Sequence, residues 1–194
     1  MHTGTEPPLV GGNVALDFVN TVDEHRPLVA ETLQTVADLR AWGQRCGVLS
    51  EGATGDDDPT ELGRAVAARE LLYSLLRARM SGAEPARAQL DELARLTTEA
   101  YATATLTPTG DGGLRWNWDP DDIASVRHVA VTAAMQLLEG EPSTRLKQCS
   151  GESCDWLFLD TSKRGNRRWC SMSECGQEAK DEQRRARRHA RPAA

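Results

Sequence analysis

The chain has 194 residues, 39% hydrophobic and 27% charged, with 29 acidic against 23 basic side chains for a formal charge of −6. That composition supplies a globular core and excludes a disordered or fibrous chain. No apolar run reaches the roughly 20 residues needed to span a bilayer, and Met1 to Val10 lacks the basic region and apolar core of a secretory signal, so a cytoplasmic protein with no membrane partner is expected.

Residues 9–22 open with Gly11-Gly12 and continue with Val14, Leu16 and Phe18 in alternation, which predicts a short strand or extended segment entering a helix. After Pro27 a helix is expected over about 28–46, with Val29, Leu33, Val36 and Leu39 as its stripe and Gly47 as its stop. The composition of 50–60 is that of a loop. A second helix, about 60–81, carries Leu62, Val66, Tyr73, Leu76 and Met80 at helical spacing, and a third, about 84–101, carries Leu90, Leu93 and Leu96. Thr103, Thr105 and Thr107, the turn from Pro108 to Gly113, and the alternation of Leu114, Trp116 and Trp118 predict a hairpin. A fourth helix, about 120–140, is expected to start with Asp119 as N-cap and Pro120 at the first helical position. The fold class is therefore mainly α: a helical N-terminal domain with a short β-hairpin, residues 1–142, and a small C-terminal module, residues 143–194.

The two parts differ in charge. Residues 145–194 hold 12 Lys and Arg against 7 Asp and Glu, leaving 11 against 22 in residues 1–144. An acidic body with a basic tail points to two regions with different partners.

Four of the five cysteines fall within 27 residues: Cys149-x4-Cys154, fifteen residues, then Cys170-x4-Cys175. In a reducing cytosol such a cluster binds metal rather than forming disulfides. Four thiolates suit one tetrahedral Zn²⁺ and close its coordination shell, which predicts a structural four-cysteine module of ββα or treble-clef-like form. No open metal position and no nucleophile–base pair is visible, so no enzyme is expected. Trp156, Phe158 and Trp169 are expected as the module's core. Lys163, Arg164, Arg167 and Arg168 form a basic turn suited to phosphate. Ser171 and Glu174 are spaced as a capping box for a helix from about Met172, with Arg184, Arg187 or Arg188, and Arg191 on one face.

The segment from Cys149 to Gly176, with Trp156, Phe158, Asp160, Ser162 and Trp169-Cys170-Ser171-Met172 between and around the ligands, resembles the CGNR-type zinc finger. ALDFVNT at 15–21 and AARELL at 67–72 resemble the helical ABATE domain that precedes that finger in a family described as stress-induced transcription regulators. The resemblance implies a DNA-binding transcription regulator, with the four cysteines as zinc ligands and Arg167, Arg168 and the later basic helix as contact surface. One departure stands out: where the family has Cys-Gly-Asn-Arg, this chain has Cys175-Gly176-Gln177-Glu178, a reversed charge that cannot contact phosphate.

Asp17, Asn20 and Arg69 are polar positions in apolar patterns. They predict either an internal Asp17–Arg69 ion pair or a pocket in which Arg69 binds a small anionic effector. Cys46 is expected to be a core or half-buried helix residue, and His25, His128 and His189 carry no assignment. A zinc-stabilised protein-interaction module and an RNA-binding finger remain alternatives to DNA binding. A homodimer is open, since no heptad pattern argues for one.

Overall fold

The computed structural model describes residues 7–23, 30–53, 58–140, 145–152 and 154–189. Helix α1 (Val14–Val19) leads to a minimal antiparallel pair, β1 (Val22–Asp23) with β2 (Ala30–Glu31). Then follow α2 (Val36–Arg45), α3 (Glu61–Ser81), α4 (Arg87–Ala102), the hairpin β3 (Thr105–Pro108) and β4 (Leu114–Asn117), and α5 (Ala124–Glu139). The C-terminal module is β5 (Leu146–Gln148), β6 (Leu157–Leu159) and α6 (Cys175–His189). No helix among the described residues is long and apolar enough to cross a membrane.

Helix α5 is the centre of the body and packs against α1, α2, α3 and α4. Its face of Val126, Ala130, Val131 and Ala134 is fully buried. The approach of α2 depends on Gly43, where a Cβ would sit 2.6 Å from Cγ2 of Val126. Beside it Trp42 meets the Phe18 ring at 5.4 Å. Burying each such side chain contributes on the order of 2 kcal/mol.

The hairpin lies where the sequence places it, with Leu106 opposite Trp116 and Pro108 opposite Leu114. Several other expectations are corrected. Residues 14–19 are helix, not strand: the Asn13 side chain accepts from the Ala15 N–H at 2.9 Å, and Ala15, Leu16, Phe18 and Val19 are all buried. The alternation of 14, 16 and 18 is thus outweighed by a helical buried face. Helix α2 begins only at Val36, behind a capping box of Thr35 and Asp38; the expected start at 28, with Val29, lies outside the described residues. Helix α3 buries Ala65, Ala68, Leu72 and Leu75 alongside Leu76, because the small residues allow close approach to α5; Leu62, Val66, Tyr73 and Met80 are only half-buried. Helix α4 starts at Arg87, and Leu90 is exposed. Helix α5 starts at Ala124 rather than beside Asp119. The Asp119 carboxylate instead accepts the Asp121 N–H at 3.0 Å and closes a turn, while Asp122 accepts from the Ala124 N–H at 2.9 Å.

The C-terminal module is docked on the body. Leu146 and Leu157 belong to the same buried cluster as α1, α3 and α5. The backbone of Gly11 accepts from the Leu159 N–H at 2.8 Å, so the chain before α1 runs along β6.

Candidate metal centre and basic surface

Strands β5 and β6 pair in antiparallel register, Leu146 with Leu159 and Gln148 with Leu157. Cys149 follows β5 and Cys154 precedes β6, forming the first knuckle. Cys170 ends the following loop, and Cys175 is the first residue of α6. All four cysteines are buried, with their sulfurs within 4.8 Å of one another.

The fit to a metal can be tested on the sulfur spacing. A tetrahedron with bonds of about 2.3 Å to zinc sets its sulfurs about 3.8 Å apart. The Sγ of Cys170 lies 3.7 Å from that of Cys154 and 3.7 Å from that of Cys175. The Cys170 N–H also donates to the Cys149 sulfur at 3.4 Å. Contacts from Cys154 and the other two sulfurs hold the Cys149 thiol far below its ordinary value. Contact with Cys149 pushes the Cys154 and Cys170 thiols far above theirs. Four sulfurs this close cannot all ionise without a cation among them. The donor set and spacing fit zinc: Cys149, Cys154, Cys170 and Cys175 would hold it, and it would supply a structural cross-link with no open position.

The second layer is built on Asp160, which is fully buried. Its carboxylate accepts from Lys147 Nζ at 2.8 Å, from the Ser162 backbone and hydroxyl at 3.0 and 2.6 Å, and from the Arg167 N–H at 2.8 Å. Led by the Lys147 contact, these bonds hold its carboxyl well below the usual carboxylate range. Lys147 also reaches the carbonyls of Gly165 and Arg167, and Arg145 reaches those of Asp160 and Ser162. The 160–168 loop is therefore tied to β5. Sequence reading missed Arg145, Lys147 and Asp160 as a unit, because their partners are mostly backbone carbonyls and leave no side-chain spacing signal.

Trp156 and Phe158 are buried beside the cysteines, with Val10 and Trp169 packed against them. The basic turn divides. Arg167 folds inward: its guanidinium lies 4.6 Å above the Phe158 ring, donates to the Trp169 carbonyl at 2.8 Å and binds the Cys170 carbonyl. Lys163, Arg164 and Arg168 are exposed, and Arg168 covers Trp169 at 5.3 Å. Helix α6 begins at Cys175, not Met172, so Ser171 lies ahead of its N-cap position. The Ser171 and Ser173 hydroxyls lie 3.0 Å apart in the turn between Cys170 and the helix. Arg184, Arg185 and Arg188 are exposed and border one groove with Asp181, which Arg184 approaches at 3.6 Å. The Arg187 side chain, Arg191, Ser153, Pro142 and His25 lie outside the described residues.

The three polar positions of the body resolve differently from the expectation. Asp17 and Arg69 are not a pair. Asp17 accepts from the Gly11 N–H at 2.7 Å, and burial raises its carboxyl above the ordinary value. Arg69 is bidentate to Glu31 at 2.7 and 2.7 Å, and also meets Glu70 at 2.9 Å and the Thr21 hydroxyl at 3.1 Å. With its donors so engaged, Arg69 has none to offer an anionic effector. Asn20 bonds Leu157 of β6 through both ends of its amide, Oδ1 at 2.9 Å and Nδ2 at 2.8 Å. Cys46 caps α2, half-buried, its thiol pushed up to about 11 by burial.

Comparison with protein families places these features. The ABATE model, "Putative stress-induced transcription regulator", matches residues 12–141. The chain belongs to the ABATE family. The CGNR zinc finger model matches residues 145–188, so the metal centre lies within it. Comparison with curated proteins finds no match. In this ABATE protein two polar residues of the body have structural duties: Asn20 joins the two parts, and Arg69 fixes β2 to α3 through Glu31.

Proposed function

We propose that this protein is a DNA-binding transcription regulator, non-catalytic and cytoplasmic, whose zinc finger contacts the phosphate backbone while the helical body senses a small ligand. The observation that carries the reading is the exposed face of α6, where Arg184, Arg185 and Arg188 stand together at the end of a helix rooted in the metal centre. Exposed Lys163, Arg164 and Arg168 on the tethered loop extend the same chemistry. Arg167 has a different role: it braces the loop against Phe158 and the Cys170 carbonyl. Glu178, in the first turn of α6, favours the helix N-terminus and keeps phosphate contact to later turns.

The test is binding of zinc-loaded protein to duplex DNA from its own promoter region across a salt series. Binding that weakens steeply with salt and resists RNA competitor supports the reading. Preference for RNA would favour the RNA-binding alternative, and retention of a protein partner with no nucleic acid bound would favour an interaction module.

A further inference from the structure

A cavity of about 390 Å³ opens between α3, α4 and α5, lined in part by Ala67, Ala68 and Leu71 of the AARELL segment. That volume suits a small-molecule pocket. Its floor is apolar, with Leu71 and Leu96, and its wall carries Arg64, Arg127, Glu92 and Glu99.

Both oxygens of Glu92 accept from Arg95, at 2.6 and 2.9 Å. Glu99 gives one oxygen to Arg127 and the other to Arg95, each at 3.0 Å. Behind them Glu61, 1% exposed, takes Arg127 through Nε at 2.6 Å and Nη2 at 3.2 Å. Arg127 lines the cavity with Nε and Nη2 taken by Glu61 and Glu99, which leaves Nη1 as the guanidinium nitrogen not held by those carboxylates. Among the described residues Arg64 makes two long ion pairs, at 3.6 and 3.7 Å. N–H donors over an apolar floor call for an acceptor with an apolar body. Three arginines already face three glutamates, so the site gains one negative charge without strong repulsion, whereas a dianion would be opposed by Glu92 and Glu99.

We infer that the α3–α4–α5 cavity binds a small monocarboxylate, its carboxylate on Arg127 Nη1 and Arg64 and its apolar part against Leu71 and Leu96. This inference deepens the sensor reading above by giving it a site and a ligand class, but its test does not need DNA.

The experiment is calorimetric titration of the full, zinc-loaded chain with benzoate, hexanoate and indole-3-acetate, with benzamide, benzylamine and inorganic phosphate as controls. At least one carboxylate is expected to saturate, and benzamide to bind about tenfold more weakly through loss of the charged contact. Arg127 holds a buried ion pair, so the variants are chosen at exposed positions that leave it intact. Arg64→Gln is expected to weaken the carboxylate about tenfold, and Ala67→Phe, on the exposed lip of the cavity, to block it. The inference is overturned if no carboxylate saturates below about 10 mM, if benzamide, benzylamine or phosphate binds as well, or if both variants bind like the parent. Carboxylate binding that leaves DNA affinity unchanged would instead overturn the sensor reading and leave the site standing.

Discussion

Asn20 on α1 and Leu157 on β6 exchange two hydrogen bonds across 137 positions of sequence, one in each direction through the Asn20 amide. The side chain thereby acts as one more rung on the β5–β6 hairpin, contributed by the helical body. It lies among buried apolar residues, so neither Leu157 group has water as a substitute. Loss of the amide leaves a buried donor and a buried acceptor unpaired.

Asn20→Ala is therefore expected to cost about 2–4 kcal/mol, the penalty for two unsatisfied buried groups. Chemical denaturation of zinc-loaded protein measures it. Hydrogen exchange should show the Leu157 amide losing protection first. A change within about 0.5 kcal/mol, the usual range for a surface substitution, would show that the apolar contacts and the other bonds, Leu159 to Gly11 among them, hold the finger on the body without Asn20.

The same junction predicts how metal removal spreads. A structural zinc contributes about 10–16 kcal/mol of apparent binding energy to a small module. Here the module shares Leu146 and Leu157 with the core of the body, and Val10 packs on the metal side. Elemental analysis should find one zinc per chain. Strong chelation should unfold 145–189 and also raise hydrogen exchange in α1, while α3 and α5 stay protected. Chelation without any change in α1 would mean that the two parts fold independently.

The metal site was legible in the sequence because zinc chemistry requires four ligands at restricted spacing. The four sulfurs do converge, although α6 starts at Cys175 rather than at Met172. Helices α3 and α4 and the β3–β4 hairpin were legible to within a few residues from apolar spacing and turn residues. Helix α1 was not: six residues carry too little period to separate a strand from a helix, and the deciding feature is the Asn13 cap. Arg69 was visible as a buried charge, but its partner Glu31 sits on a two-residue strand 38 positions earlier, where no periodicity marks it. The inward turn of Arg167 was hidden because its acceptors are backbone carbonyls.

Arg167 and the α6 arginines should separate in mutational tests. Arg184→Ala with Arg188→Ala removes two exposed cations and should lower the salt slope of DNA binding by about 2, leaving thermal stability unchanged. Arg167→Ala removes a guanidinium that braces Phe158, Trp169 and Cys170. It should weaken zinc retention against a competing chelator and leave the salt slope of the folded, zinc-loaded protein unaltered. The opposite pattern, with the slope falling in Arg167→Ala and not in the α6 pair, would move the contact surface from the helix to the loop.

His128 gives the protein a pH dependence with a definite sign. The ring is 3% exposed on α5, its Nδ1 is 3.2 Å from the Thr103 hydroxyl, and Nε2 has no hydrogen-bond partner among the described residues. The Thr103 hydroxyl donates to the Ala100 carbonyl at 3.1 Å, so it accepts from the ring and Nδ1 carries the proton. Burial, reinforced by the neighbouring Arg127 charge and opposed by Glu99, Glu61 and Asp122, holds the imidazole below its ordinary value of 6.5. The unfolded chain then binds a proton that the folded chain refuses. Stability is full above the unfolded value and declines as pH falls through about 6.5 toward the folded one, with a slope of at most about 1.4 kcal/mol per pH unit for this single group. Denaturation at a series of pH values between about 7.5 and 5.5, the interval around the ordinary histidine value, measures the slope with free zinc held in excess. His128→Gln should flatten it in that interval whatever the variant does to absolute stability. An unchanged slope would assign the dependence to protonation of the zinc thiolates instead.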